Sequence, residues 1–228
     1  MIKPYKTPHH ISQGFSLNFN SYYKSAGLLG HSGIDFVGDH LTPIYSVVDS
    51  YCYSHVNREN FNLKKFRAVY TLSEINGVWY EISYGHLMDI IAVPKTYIKA
   101  GTQIGTQGNT GKVFFGGVEP TDEQRLQGLA SHLHFQMRPV KQVSIKTSGK
   151  KYLSDANGTL KYLDKFWEII DYENGYNGAI NPLPFFDLPD QTKKYKELQE
   201  LLNKHGANLV VDGKFGKLSR QALEIFLQ

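Results

Sequence analysis

The chain has 228 residues, of which 41% are hydrophobic and 20% charged, so it is long enough for one domain of moderate size or for a larger domain with a small appendage. Its 21 glycines, 15 tyrosines and 13 phenylalanines favour strands and tight turns over a helical bundle. The net charge of +4 is mild and spread out, so it does not indicate a nucleic-acid-binding protein, but it suits an anionic polymer such as a bacterial cell wall.

Cysteine content and hydropathy exclude several further classes. Cys52 is the only cysteine, which excludes an internal disulfide and a zinc cluster built from cysteines. It lies in an alternating pattern and is expected to be a small buried side chain. The N-terminal MIKPYKTPHHISQGF has no continuous apolar stretch, so no Sec-type signal peptide is expected, and no window reaches the length of a membrane span.

Short alternating segments separated by turn signals run from about residue 10 to residue 140. Strands are predicted at 42–56, 66–74, 77–87 and 132–138, with a tight hairpin turn at INGV, residues 75–78. No helical pattern lies between them, so the sequence predicts an α+β fold with a mainly antiparallel β-sheet. The glycine-rich KAGTQIGTQGNTG, residues 99–111, predicts a strand edge and a loop. It lacks the Lys-Ser or Lys-Thr ending and the following helix of a nucleotide-binding loop.

The C-terminal third changes character. LKYLDKFWEIIDY, residues 160–172, predicts a short helix with an apolar side made of Leu160, Leu163, Phe166 or Trp167, and Ile170. NPLPFFDLPDQT contains three prolines and predicts a linker at 182–191, after a first domain at 1–181. Two helices, at 193–206 with Gly206 as the stop signal and at 218–228, are expected to form a small α-helical domain at 192–228.

Histidines recur in the glycine-rich part of the chain. In SHLHFQMR, His132 and His134 are two residues apart, so in a strand both rings leave the same face. On this octet alone, two ordinary half-buried histidines are as good an interpretation as a metal or catalytic pair. Three further short segments, GHSGIDF at 30–36, YGHL at 84–87 and GNTG at 108–111, add His31, Asp35 and His86.

If these segments converge, their side chains suit one zinc ion. Two imidazoles and a carboxylate, from His31, His134 and Asp35, would bind Zn²⁺ and leave a fourth position for water, as in catalytic zinc sites. Gly33 would let the backbone bend so that His31 and Asp35 face one ion. His132 and His86 would lie beside the bound water, where a neutral histidine can take a proton and a second can stabilise an oxyanion. The sequence does not assign these two roles.

Together, HxxxD in GHSGIDF, the YGHL step, the IGTQGNTG loop and the closing HLHF resemble the lysostaphin-type (LytM-like) zinc metallo-endopeptidases. The resemblance covers about residues 10–140, with the four motifs in the family's order. It implies a mainly antiparallel sheet with a narrow groove, one Zn²⁺ held by His31, Asp35 and His134, and a catalytic pair of His86 and His132. It also implies hydrolysis of peptide bonds in the cross-links or stems of bacterial peptidoglycan, with no role for nucleic acid.

A second resemblance concerns the C-terminal region. LQELLNKHGANLVVDGKFGKLSRQALEIFLQ is similar to the front of the small helical peptidoglycan-binding domain, whose hallmark is a VDGxFG turn followed by a helix ending in Phe-Gln. Here the ending is FLQ, and the sequence has no counterpart of that domain's third helix. A wall hydrolase without an export signal is typical of a phage lysin or a virion-associated enzyme, released by lysis or carried by the particle. The alternative is a non-catalytic wall-binding or regulatory protein on the same fold.

Overall fold

A computed structural model of the chain describes residues 1–16, 21–59, 61–186, 192–213 and 217–226. The strands are β1 His10–Gln13, β2 Ile34–Val37, β3 Pro43–Tyr45, β4 Ser50–Val56, β5 Ala68–Ile75, β6 Val78–Gly85, β7 Thr96–Ile98, β8 Gln103–Thr106, β9 Leu133–Val143, β10 Ser154–Asp155, β11 Gly158–Thr159, β12 Lys161–Tyr162 and β13 Lys165–Ile169. The helices are α1 Ser21–Ser25, α2 Asp122–Leu126, α3 Thr192–Lys204 and α4 Lys217–Phe226, with a 3₁₀ turn at Leu183–Phe185.

The chain divides into two compact units, residues 1–186 and 187–228. The first unit contains every strand of the described residues together with α1 and α2, and the second contains α3 and α4. Across the described ranges, no helix combines the length and apolar character needed to cross a membrane.

The main sheet has the order β1-β2-β9-β6-β5-β4-β7, and all of its pairings are antiparallel. The eleven-residue strand β9 is central, because β6 pairs along one edge while β2 and β13 pair with the beginning and end of the other. The predicted α+β class with a mainly antiparallel sheet is confirmed. The INGV hairpin is also confirmed, since Asn76 and Gly77, with φ of 52° and 78°, join β5 to β6.

Alternate residues of β9 face opposite sides of the sheet. Leu133, Phe135 and Met137 are fully buried in the main core, where the Phe135 ring packs edge-on against Phe36. His134 faces the other side. At the far end of that second face, a smaller apolar cluster forms around Leu72, Val140, Leu153, Leu160 and Trp167. One face of the sheet therefore makes the main core, and the opposite face is left partly open.

The helix predicted at 160–172 is wrong. Residues 161–169 instead form a hairpin, in which β12 and β13 are joined by Leu163 and Asp164, both with φ of 55°. β13 then extends the sheet by pairing with the end of β9. The apolar residues do occur at helical spacing, but they do not form one buried side. Leu163 is 55% exposed, whereas Trp167 is fully buried in the smaller apolar cluster.

The beginning of the expected linker packs on the first unit. The Phe186 side chain is buried, and its ring lies 5.5 Å from that of Phe36 and 5.2 Å from that of Phe135. Residues 187–191 lie outside the described residues. The two C-terminal helices are confirmed, and Gly206, with φ of 93°, follows the end of α3 as expected. Cys52 is fully buried in β4, as predicted.

Candidate metal centre and active site

Three potential metal ligands meet where β2, β9 and β6 lie side by side. Asp35 of β2 pairs directly with His134 of β9, and Gly85 at the end of β6 pairs with His134 from the other side. Directly paired residues point to the same face of a sheet, so the carboxylate and the imidazole share the open face. His31, four residues before Asp35, reaches the same point from the segment that leads into β2.

The donor atoms of these three side chains are close together. The His31 Nε2 atom lies 2.9 Å from His134 Nδ1 and 3.1 Å from Asp35 Oδ1, and the His134–Asp35 distance is also 3.1 Å. Zinc bonds of ~2.0–2.2 Å at tetrahedral angles hold donor atoms roughly 3.4 Å apart, so a small outward movement would admit the ion. Within the described residues, His31, Asp35 and His134 form the one cluster of this kind.

The chemistry of the donor set fits zinc. The His31 Nδ1 atom donates a hydrogen bond to the Gly14 carbonyl over 3.1 Å, because a carbonyl oxygen can only accept. That bond fixes the tautomer and leaves the Nε2 lone pair directed at the cluster. Two neutral imidazole nitrogens and one carboxylate oxygen match the preferences of zinc, and three protein donors leave one tetrahedral corner for another ligand.

Electrostatics keep the carboxylate of this cluster charged. Burial alone would raise the pKa of Asp35, but the nearby His132 and the close contacts with the His134 and His31 nitrogens outweigh burial and hold the pKa well below its ordinary value. Burial is also the main reason that the pKa of His134 is lowered, which favours the neutral ring. A carboxylate and neutral imidazoles are the protonation states that bind a metal.

Gly33 is required for space. A Cβ atom at this position would come within 2.5 Å of the Phe135 carbonyl oxygen and 2.8 Å of His134 Cε1. The expected bend is present at residues 32 and 33, just before β2, although Gly33 makes it without a positive φ. The missing side chain also lets the segment between His31 and Asp35 lie directly against β9.

His86 and His132 face each other beside the cluster. Their ring centroids are 4.5 Å apart, and His132 Nε2 is 3.8 Å from Asp35 Oδ2. The Nδ1 atom of His86 donates to the Thr110 carbonyl over 2.7 Å, and that of His132 donates to the Ala130 carbonyl over 2.9 Å. Both Nδ1 atoms are therefore donors, so either ring in its neutral form has its lone pair on Nε2.

Burial, followed by the nearby His132 and His134 rings, holds the pKa of His86 well below its ordinary value. His86 follows β6 with φ of 61°, a conformation that is uncommon for a residue with a side chain. The bend aims its ring at the cluster instead of continuing the strand. The neutral ring can accept a proton, which is the chemistry required of a general base.

The GNTG loop supports His86 from behind. Thr110 is fully buried, and its hydroxyl accepts a hydrogen bond from the Arg67 N–H and donates one to the Leu87 carbonyl. Asn109 is also buried, and its amide donates to the Arg125 and Leu129 carbonyls, each over 2.8 Å. The loop is therefore a scaffold for the site, not a ligand-binding loop of its own.

Sequence reasoning missed two residues that bear on the site. Arg125 is fully buried and donates to the carbonyls of Asn109, Gly111 and Pro120, with an ion pair of 2.7 Å to Glu119. It ties the segment at 112–130 to the GNTG loop, but in the sequence it resembles an ordinary surface residue of a short helix.

The second residue is Tyr23, whose ring centroid lies 5.8 Å from that of His31. Burial, with a further contribution from Asp35, raises the pKa of Tyr23 to about 12, so the hydroxyl keeps its proton at neutral pH. The Tyr23 hydroxyl accepts a hydrogen bond from the Gln13 side-chain amide over 3.0 Å, which helps to hold the phenol beside the candidate ligand His31. No spacing or motif in the sequence distinguishes this tyrosine from the others.

Similarity to known proteins agrees with this geometry. The model of peptidase family M23 matches residues 29–147, slightly more than half of the chain, and this span contains all five candidate site residues. The chain belongs to peptidase family M23. No curated protein sequence matches it.

Solved structures of the M23 fold resemble the chain at low identity. That of LytU is 22% identical with a TM-score of 0.43, and the match covers 78% of this chain and 85% of that one. The catalytic domain of lysostaphin from Staphylococcus simulans is 20% identical with a TM-score of 0.41, over 78% of this chain and 91% of that one. A zinc-containing peptidase from Vibrio cholerae is 22% identical with a TM-score of 0.42, over 60% and 36%.

Proposed function

We propose that this M23 peptidase is a zinc-dependent endopeptidase that hydrolyses peptide bonds in the cross-links or stems of bacterial peptidoglycan. The observation that carries the proposal is the convergence of His31, Asp35 and His134 donor atoms within 3.1 Å of one another. Two further imidazoles, of His86 and His132, present their Nε2 atoms beside them. The mild positive charge of the chain suits an anionic wall polymer.

The proposed mechanism assigns the five residues to two groups. His31, Asp35 and His134 would hold the ion, which when bound supplies a Lewis acid that acidifies water and polarises a carbonyl. His86 and His132 offer two proton acceptors, and whichever ring takes the proton during attack becomes the donor that returns it to the leaving amine. The hydrogen bonds to Thr110 and Ala130 keep both rings oriented during this exchange.

Hydrolysis of purified peptidoglycan tests the proposal. The full chain, loaded with zinc, is incubated with walls of two cross-link types, and the released fragments are identified by mass spectrometry. We expect new amino and carboxyl termini at one kind of peptide bond, about one zinc per chain, and loss of cleavage with a chelator. A protein that binds zinc and walls but releases no fragment would instead support the non-catalytic regulatory alternative.

The place of action is part of the same proposal. We infer that the protein acts on the wall as a phage lysin or a virion-associated hydrolase, and that residues 192–228 contribute wall binding through their resemblance to a peptidoglycan-binding domain. Immunodetection in phage particles and in lysates tests the first inference. Sedimentation with walls of the full chain and of a chain ending at Phe186 tests the second, which fails if both sediment equally.

A further inference from the structure

Three tyrosines form an aromatic cluster, here called the tyrosine platform: Tyr51 and Tyr162, which are half-buried, and Tyr97, which is exposed. The Tyr51 and Tyr162 rings are stacked, with centroids 3.9 Å apart and an interplanar angle of 10°. Tyr97 lies 5.3 Å from Tyr51, its hydroxyl is hydrogen-bonded to that of Tyr162, and it is 76% exposed. A large ring that is held in place yet mostly open to solvent is suited to contact with a ligand.

A polar depression adjoins the platform. It has a volume of about 240 Å³, and its lining includes Tyr51, Tyr53, and Asp155 and Asn157 of the β10–β11 hairpin. Pockets for drug-sized ligands are larger, at ~300–1,000 Å³, so this one suits a single unit of a polymer.

Lys95 also lines the depression, and its ammonium group makes no ion pair with any residue in the described part of the chain. Its backbone has φ of 64°, a conformation held by a hydrogen bond of 2.7 Å from the Lys95 N–H to the Cys52 carbonyl. Such a conformation costs free energy for a residue with a side chain, and residues of this kind cluster at ligand sites.

The platform lies on the same face of the sheet as the candidate active site. His134 of β9 pairs directly with Gly85 of β6, which in turn pairs with Ala68 of β5. Leu72 lies four positions further along β5, on the same face as Ala68, and it pairs directly with Tyr51 of β4. Paired residues share a face, and so do residues two apart along a strand. From the strand spacing and the rise per residue, Tyr51 is roughly 20 Å from His134 across this face.

We propose that the tyrosine platform and its depression bind a sugar ring of the glycan strand whose peptides are cut at the histidine cluster. The C–H groups of one pyranose face would lie on the exposed Tyr97 ring, whose π face is electron-rich. Hydroxyl and acetamido groups at the rim would bond to Asp155, Asn157 and Lys95. The identity of the polymer rests on the proposed function, whereas saccharide binding rests on the platform itself.

Binding of a peptide-free sugar tests the proposal directly. The probe is the β-1,4-linked tetramer of N-acetylglucosamine, titrated into the full chain by calorimetry. We expect saturable binding, a loss of affinity of about fivefold or more for Tyr97→Ala, and little change for Tyr97→Phe, which keeps the ring. Ile145→Ala, which removes a side chain that is 80% exposed and outside the platform, is the matched control.

A second measurement separates this inference from the proposed function. Tyr97→Ala should hydrolyse a soluble stem-peptide substrate without sugar as fast as the unsubstituted chain does. On intact walls its rate of hydrolysis should be lower. Saccharide recognition here is overturned if the tetramer does not bind, or if it binds Tyr97→Ala as tightly as the unsubstituted chain. It is also overturned if a stem peptide binds at the platform and the tetramer does not. If the tetramer binds but no peptide bond is ever cut, the proposed function fails and this inference stands.

Discussion

A backbone carbonyl sets the orientation of three of the four imidazoles at the candidate site. His31, His86 and His132 each donate from Nδ1 to a carbonyl, of Gly14, Thr110 and Ala130 respectively, so that all three direct Nε2 to one region. His134 differs, because its Nδ1 atom faces the cluster. His31 and His134 thus each place a ring nitrogen 3.1 Å from the Asp35 carboxylate, whereas His86 and His132 lie beside this cluster. The two pairs are therefore expected to respond differently to substitution.

Replacing His134 and His132 by alanine separates metal binding from turnover. His134→Ala removes one of three donors, so we expect loss of bound zinc and of activity together. His132→Ala leaves the three donors in place, so this variant should keep most of the metal. Its hydrolysis rate should fall by a factor of about 10²–10⁴, which is the usual contribution of general acid–base catalysis. Metal content by plasma emission spectroscopy and initial hydrolysis rates measure both. Near-normal rates for His132→Ala would disprove the role assigned to it.

Gly33→Ala tests the close approach of the β2 segment to β9. The added methyl would lie 2.8 Å from His134 Cε1 and 2.5 Å from the backbone oxygen of Phe135, so either the strand or the ligand ring must move. We expect a loss of about 1–3 kcal/mol in the free energy of unfolding, as for other overpacked sites, and weaker zinc binding. Urea titration and competition with a zinc chelator measure these two effects. Ser32→Ala, at the neighbouring half-buried position, should change neither.

At the scale of elements, the loop behind His86 and His132 depends on Arg125. Its guanidinium supplies donors to the carbonyls of Asn109 and Gly111, which flank the Thr110 carbonyl that holds His86. A fully buried cation is tolerated because these carbonyls and Glu119 replace its hydration. The positioning of His86 is therefore coupled to the helix α2 that carries Arg125.

Substitution at both ends of this ion pair measures the coupling. Arg125→Met leaves buried carbonyls without donors, so we expect a loss of about 3 kcal/mol or more in the free energy of unfolding, and reduced turnover in the folded fraction. Glu119→Gln should cost less than about 1 kcal/mol, because this side chain is 45% exposed and the amide oxygen still accepts. Equal effects of the two substitutions in urea titrations would contradict a loop held by the carbonyl contacts.

The elements also mark the boundary of what the sequence could predict. The alternation is clearest in β9, where buried and half-buried residues alternate from Leu133 to Arg138 because one face of the strand lies in the main core. A helix was wrongly predicted at 160–172 because Leu160, Leu163, Trp167 and Ile170 are spaced like one face of a helix. The turn at Leu163 and Asp164 gave no signal, since it adopts positive φ without a glycine. The histidine motifs predicted which side chains meet, whereas the Arg125 and Tyr23 contacts depend on folding that no local pattern records.

At the scale of the whole molecule, the candidate zinc ligands connect β2 and the segment before it to β9 within the first unit. Zinc should stabilise that unit, because a ligand that binds only the folded state raises the free energy of unfolding. At a free zinc concentration of 100 times the dissociation constant, the increase is about 2.7 kcal/mol. For a unit of this size we expect a rise of roughly 5–10 °C in the melting temperature relative to chelator-treated protein. Calorimetry measures the shift, and magnesium at the same concentration should not produce it, since it prefers oxygen ligands. A His134→Ala chain that still shows the zinc shift would refute the site.

The central position of β9 has a consequence during synthesis. Its His134 arrives 103 residues after His31 and 99 after Asp35, and it must insert between β2 and β6 to meet them. Until the ribosome has released that stretch, the two earlier donors have no third partner and His132 has not been added to the chain. The candidate site is therefore complete only after β9 has paired with β2 and β6.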